Sequence, residues 1–300
     1  MTIKFTKWAG IKDEGDVTST KPPYLREGNN VDVDDEGKRV SRREGFGAPI
    51  IAGDYHSLWS NAARDLMLGV TGGTLVSIDP QNISMPTIII RSGLTVGAQM
   101  SFDEINNQIS YSNGYVLGII EHNTGGTLPT VSKMASSTMP AGQIVDFYDD
   151  RLYTIQGGRV AYSEALDFGR AVPRSAFFWF PGQITMWKSV ADGIYASWRN
   201  QTVFIRGKKP SEFAVEEVAD YAAIPYTSLK FDASLVSSKV PLQGKAVFWM
   251  SQKGPCIGFA GGMMLNLALT KVVPQEGITG ASVLRKNRKG FYQAISVIQE

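Results

Sequence analysis

Residues 149–167 read DDRLYTIQGGRVAYSEALD. Two short β-rich runs, Leu152–Ile155 and Val160–Tyr162, flank the pair Gly157-Gly158. Glycine reaches positive φ without steric cost, and tight turns whose twist matches that of paired strands need it, so the stretch predicts a β-hairpin. The same object recurs along the chain. RDLMLGVTGGTLVSID (64–79) turns at Gly72-Gly73, DEINNQISYSNGYVLGIIE (103–121) at Asn113-Gly114, and DGIYASWRNQTVFIRG (192–207) at Asn200-Gln201. These four turn centres are separated by 42, 44 and 43 residues.

Further hairpins extend the series at both ends. NNVDVDDEGKRVSRREGF (29–46) turns at Glu36-Gly37, and GKAVFWMSQKGPCIGFAGG (244–262) at Lys253-Gly254. A last strand is expected at 291–298, its turn lying in Asn287–Gly290. MPTIIIRSG (85–93) and PGQITMWKSV (181–190) leave room for additional strands between the hairpins. Only SEFAVEEVADYAA (211–223) offers a helical pattern, and a polar strand followed by a loop explains it equally well. A strand-only repeat of about 40–50 residues is the signature of β-propeller blades, which stack because a small sheet cannot cover both its faces alone. The predicted fold is all-β: about six propeller-like antiparallel hairpins, closed by pairing Val31–Val33 with 291–298. An irregular β-sandwich or barrel is the rival architecture. The expected organisation is an N-terminal arm over 1–21 and a single domain over 22–300.

Composition restricts the chemistry. The chain has 300 residues, 43% hydrophobic and 19% charged, with net charge +2, so no general attraction to nucleic acid or membrane is expected. Its apolar stretches are too short to span a bilayer, and its start lacks the apolar core of a secretory leader. The lone Cys256 permits no intrachain disulfide and reads as a small buried hydrophobe of a reducing cytoplasm. With one cysteine and two histidines, His56 in a strand entry and His122 in a polar loop, a zinc or Cys–His centre is not expected. No nucleophile elbow or phosphate loop is present, and TGGT at 71–74 and 124–127 reads as turns. The carboxylate groups Asp34-Asp35-Glu36, Asp149-Asp150 and Glu216-Glu217 read as solvated or turn-capping. The reading is a protein without catalytic residues, metal or cofactor.

Two basic clusters stand out at hairpin ends: Arg206, Lys208 and Lys209, and Arg285, Lys286, Arg288 and Lys289. Such loops can reach phosphates or an acidic partner; they can equally be solvated turns that guard a sheet edge. The aromatic runs SAFFWFPG (175–182) and VFWM (247–250) are too apolar for an exposed face and are expected in the core.

PPYLREGNNVDVDDEGKRVSRREGF (22–46), with Asn30, Asp32, Asp34, Gly37, Arg43, Gly45 and Phe46, resembles the N-terminal motif of bacteriophage tail and head-completion proteins. The phrase at 150–170, ending in Tyr162-Ser163-Glu164, looks like a blade of that group. KSVADGIYASWRNQTVFIRGKKPSEF (188–213) is similar to its following blade. The resemblance spans roughly 22–260 and is nearest in style to the packaged-DNA stabilisation, hub or nozzle proteins of short-tailed phages. It implies a virion protein made in the host cytoplasm, commonly six copies in a ring below the portal. Its partners would be itself, adaptor and other tail proteins, and packaged double-stranded DNA. A carbohydrate- or receptor-binding propeller is the alternative, with a glycan-acting enzyme behind it.

Overall fold

The computed structural model describes residues 31–33, 40–42, 51–82, 84–123, 125–129, 133–134, 138–171, 175–236, 243–267, 277–286 and 292–299. Among them β1 (Val31–Val33) and β2 (Val40–Arg42) form an antiparallel hairpin. Five four-stranded antiparallel sheets follow, each a meander of consecutive strands. The first contains β3 (His56–Ser60), β4 (Met67–Thr71), β5 (Thr74–Ile78) and β6 (Thr87–Arg91). The second contains β7 (Ser101–Ile105), β8 (Gln108–Ser112), β9 (Leu117–Glu121) and β10 (Lys133–Met134). The third contains β11 (Ile144–Tyr148), β12 (Arg151–Gln156), β13 (Arg159–Tyr162) and β14 (Phe177–Trp179). The fourth contains β15 (Ile184–Val190), β16 (Gly193–Trp198), β17 (Gln201–Arg206) and β18 (Ala214–Ala219). The fifth contains β19 (Leu229–Asp232), β20 (Lys245–Ser251), β21 (Gly254–Gly258) and β22 (Met264–Asn266). A long hairpin of β23 (Thr279–Lys286) and β24 (Tyr292–Gln299) ends the chain.

Local turn chemistry produces this order. The hairpins read from Gly72-Gly73, Asn113-Gly114, Gly157-Gly158, Asn200-Gln201 and Lys253-Gly254 are in every case the second-to-third strand connection of a sheet. The last two turns sit one residue earlier than expected, since Gln201 and Gly254 already belong to strands and Arg199 (φ 51°) takes the left-handed position. First-to-second connections use Asn106-Asn107 (φ 47° and 64°) and Asp149-Asp150 (44° and 62°), short polar residues that tolerate this conformation. Residues 214–219 form strand β18, preceded by a single 3-10 turn at Pro210–Glu212.

Terminal pairing differs from the expectation. β1 pairs with β2 and β24 with β23, and no pairing joins Val31–Val33 to β24 among the described residues. Pairing with the neighbour in sequence closes a short loop, whereas joining the two chain ends would order nearly the whole chain. The 1–21 arm, the Glu36-Gly37 turn and the Asn287–Gly290 turn lie outside the described residues.

An apolar layer lies between each pair of consecutive large sheets. Leu68, Val70 and Leu75 of the first meet Phe102, Ile109 and Tyr111 of the second. Leu117 meets Val145, Phe147 and Leu152 across the next seam, and Tyr153 and Ile155 meet Trp187 and Ile194 across the one after. Met186, Tyr195 and Phe204 meet Val247, Trp249 and Cys256 across the last. Trp187 and Trp249 are fully buried, each contributing about 2–3 kcal/mol of transfer free energy. The aromatic run at 175–182 divides. Phe178 and Phe180 pack 6.1 and 5.9 Å from the Trp187 ring, while Trp179 is 67% exposed on the outer strand β14.

Candidate functional site

The first strands of successive sheets are tied side by side by one repeated hydrogen bond. Ser57 Oγ accepts from Met100 N (2.8 Å), Ser101 Oγ from Val145 N (3.0 Å), Asp103 Oδ2 from Phe147 N (2.6 Å) and Asp146 Oδ2 from Ser189 N (2.8 Å). Their sequence separations are 43, 44, 44 and 43 residues, so the spacing that appears in the sequence as turns appears in space as a ladder.

This ladder assembles the principal polar cluster of the described residues. Asp103 on β7 and Asp146 on β11 occupy equivalent places in their strands, followed by Ser189 on β15 at the same interval. Lys230 on β19 reaches all three. Its Nζ lies 2.6 Å from Asp103 Oδ2 and 2.9 Å from Asp146 Oδ1, and donates weakly to Ser189 Oγ at 3.5 Å. Lys188 Nζ approaches Asp146 Oδ1 at 3.9 Å, and Ser189 Oγ donates to Phe147 O at 2.7 Å. One lysine from the fifth sheet therefore bridges carboxylates of the second and third, and the fourth sheet supplies a further lysine and a hydroxyl. The two carboxylates and two ammonium groups balance in charge, as burial requires.

Burial pushes the Asp103 carboxyl up, but the Lys230 and Lys188 charges and the hydrogen bonds it accepts outweigh that and hold it below its ordinary value. Burial also depresses Lys230, and the two carboxylates overcompensate and raise it. Desolvation dominates the other two members: it raises Asp146, aided by repulsion from Asp103, and lowers Lys188. The cluster holds opposite charges against one another inside the fold. Its contacts join strands of four sheets.

A second pair, His122 buried and Asp65 half-buried, clamps the first sheet to the second. His122 Nε2 lies 3.2 Å from Asp65 Oδ1, and Asp65 also accepts from Asn61 Nδ2 (2.5 Å) and Gly125 N. These hydrogen bonds, the Gly125 one foremost, lower the Asp65 carboxyl to about 2. His122, expected in a polar loop, is 6% exposed because Asp65 supplies a partner distant in sequence. His56 contacts Ser57 Oγ at 2.9 Å.

Of the basic residues, Arg206 at the end of β17 pairs with Glu216 at 3.0 Å, donates to Gly261 O at 2.7 Å and lies 5.0 Å from the Phe204 ring centroid. It fastens the fourth sheet to the fifth. Lys208 and Lys209 are exposed beside it. Arg285 Nε donates to Gln293 Oε1 at 3.0 Å, and Lys286 Nζ sits 5.5 Å from the Tyr292 ring centroid. Arg288 and Lys289 lie outside the described residues, as do Asn30, Asp34, Gly37, Arg43, Gly45 and Phe46 of the N-terminal motif. The two basic clusters thus belong to separate elements, β17 and β23. Sequence reasoning missed Asp103, Asp146 and Lys230. The available signal was an aspartate inside a strand, SFDEI and IVDFY, repeating 43 residues apart.

The chain matches no protein-family model and no curated protein. Among solved structures it is similar to Kuenenia stuttgartiensis hydrazine synthase, at 10% identity over 89% of each chain with a TM-score of 0.50. It is also similar to the extracellular domain of a hybrid two component system from B. thetaiotaomicron, at 12% identity and a TM-score of 0.48. That likeness covers 84% of this chain and 31% of the other. A protein named as a 6-phosphogluconolactonase from Bacteroides fragilis is similar at 10% identity, over 81% of this chain and 84% of that one, with a TM-score of 0.44. At such identities the first likeness concerns the fold alone, and the other two carry nothing further. What the structure defines is an all-β chain of repeated antiparallel sheets, joined by ladders of hydrogen bonds and buried ion pairs.

Proposed function

We propose that this chain is a non-catalytic structural subunit of a bacteriophage tail, a β-propeller-like unit that forms a ring around the DNA exit channel. The resemblance of residues 22–46, 150–170 and 188–213 to phage tail proteins suggests the tail role, and the structural part of the reading is supported by the Asp103–Asp146–Lys188–Lys230 cluster. The cluster commits deeply placed polar residues of four sheets to holding those sheets together. The propeller arrangement is supported by the apolar layer between every pair of successive large sheets. The terminal hairpin supports it too. Gly280 N donates to Pro225 O at 3.2 Å, beside the fifth sheet, and Arg64 of the β3–β4 turn lies 5.2 Å from the Tyr292 ring centroid. The hairpin would then fill the gap between the fifth and first sheets.

In this reading the middle of each subunit is closed by the ionic cluster, so DNA passes between copies and never through one. Lys208, Lys209 and the 285–289 cluster are the residues offered to DNA or to an adaptor; Arg206 serves the subunit's own packing. Electron microscopy of the purified protein with and without its neighbouring tail proteins tests the proposal. Six-fold rings, alone or on an adaptor, are expected; particles that remain monomeric with every neighbour present would refute it.

A further inference from the structure

The outer part of the seam between the second and third sheets holds a cleft that the cohesive role leaves unused. Its volume is about 280 Å³, and Thr154, Gln156, Arg159, Ala161 and Trp179 line it, with Pro140 and Ala141 completing the wall. Strand register sets this composition. Gln156 pairs with Arg159 and Arg159 with Trp179, while Thr154 pairs with Ala161. Three neighbouring strands therefore present an amide, a guanidinium and an indole in one row, with a hydroxyl beside it. Side chains directly opposite in a sheet stand on one face, so the row is a property of the fold and not of a loop.

Three features separate this cleft from ordinary surface. Trp179 is 67% exposed, an unusual placement for an indole that lies within reach of an apolar seam. Thr154 is only 2% exposed, yet its Oγ1 has no hydrogen-bond partner, and Arg159 Nε is likewise buried without one. Atoms without a partner also occur in the sealed core, at the Trp187 and Trp249 indoles among others. The Thr154 and Arg159 atoms, however, stand together at one open cleft, where a ligand can reach them and complete the bonding. The Arg159 guanidinium lies over the Phe177 ring at 4.8 Å, and Arg159 stands opposite Trp179 in the strand register. The lining carries one positive side chain and no negative one.

We infer that this cleft binds a single sugar ring carrying a carboxylate, such as a uronic acid unit of an acidic glycan. The flat apolar face of a pyranose stacks on Trp179. The carboxylate takes charge-assisted hydrogen bonds from Arg159, and ring hydroxyls exchange hydrogen bonds with Gln156 and Thr154. The volume accommodates one ring, at the small end of ligand sites. This inference does not depend on ring assembly in the tail, and the two can fail separately.

The test uses the full chain, with galacturonate as probe and galactose as its neutral counterpart, read by saturation-transfer NMR and tryptophan emission. Galacturonate is expected to bind with a Kd of about a millimolar and galactose about tenfold more weakly. Trp179→Ala, at a position 67% exposed, should leave the circular dichroism unchanged and abolish binding of both. Arg159→Gln should remove the preference for the acid while sparing the weak neutral binding. No saturable response to galacturonate, equal binding in Trp179→Ala, or wild type failing to prefer the acid would each overturn the inference. So would competition by a nucleotide at concentrations where galacturonate has no effect.

Discussion

The third sheet carries polar side chains on its first strand and on the strands that follow it, and the two sets are treated in opposite ways. On β11, Asp146 is fully buried, yet it accepts from Ser189 N and contacts Lys230 at 2.9 Å. On β12 and β13, Thr154 and Arg159 keep buried atoms that bond to nothing described, beside an exposed Trp179. A polar group whose needs are met within the fold stabilises one arrangement of sheets. A polar group left wanting stabilises whatever arrives from outside. The first strands thus join sheet to sheet, and the later strands carry the polar atoms that the proposed ligand would use.

The largest effect should come from removing the cation that two carboxylates share. Lys230→Met leaves Asp103 and Asp146 buried without their common partner and should cost about 3–5 kcal/mol in urea unfolding. Removing the cation of the cleft, Arg159→Gln, strands no buried carboxylate and should cost less than about 1 kcal/mol. Equal losses at the two places would erase the distinction between them.

Gly157 and Gly158 give the next effect and show how far the sequence could be read. Both are turn residues, but only Gly157 has a left-handed φ (59°), with open space where a side chain would stand. Gly158 is required for another reason: a Cβ there would stand 2.6 Å from Phe180 O and 2.7 Å from Gly182 O. Gly158→Val should therefore cost about 1–3 kcal/mol through backbone displacement. Gly157→Asn should cost only a few tenths, since Asn tolerates that conformation. Thermal melts of the two variants decide it, and equal losses would contradict the assignment.

Turns were legible because their chemistry is local: Gly72-Gly73, Asn113-Gly114 and Gly157-Gly158 announce themselves within two residues. Their period carried the all-β repeat with it. PGQITMWKSV (181–190) showed the first strand of the fourth sheet, β15, but the polar cluster of the first strands was not legible, because Asp103 and Lys230 meet across 127 residues of chain. His122 does lie in a loop, and only its burial was illegible, for the same reason: its partner Asp65 is 57 residues away. Trp179 escaped because its neighbours Phe178 and Phe180 point inward, and only the strand's alternation turns the indole out.

A smaller, pH-dependent effect comes from that His122–Asp65 clamp. Asp65 is lowered to about 2 from an ordinary value of 3.8, so its contribution is fully present above about pH 4 and fades as pH falls toward 2. Asp65→Asn should flatten this part of the acid-unfolding curve; an unchanged curve would show that the clamp contributes nothing. The smallest effect on the fold is expected at Lys208 and Lys209. Reversing both charges should leave the melting temperature within about a degree or two, matching less than 0.5 kcal/mol. Under the proposed tail role their influence should fall instead on genome retention in assembled particles.

A double-mutant cycle on Asp103→Asn and Lys230→Met tests the cohesive cluster most directly. If the pair binds the second sheet to the fifth, each single change should be costly. Together they should cost less than their sum by about 1–3 kcal/mol, with one cooperative transition throughout. Additive losses, within about 0.5 kcal/mol, would mean that the two residues sit side by side without holding the sheets together.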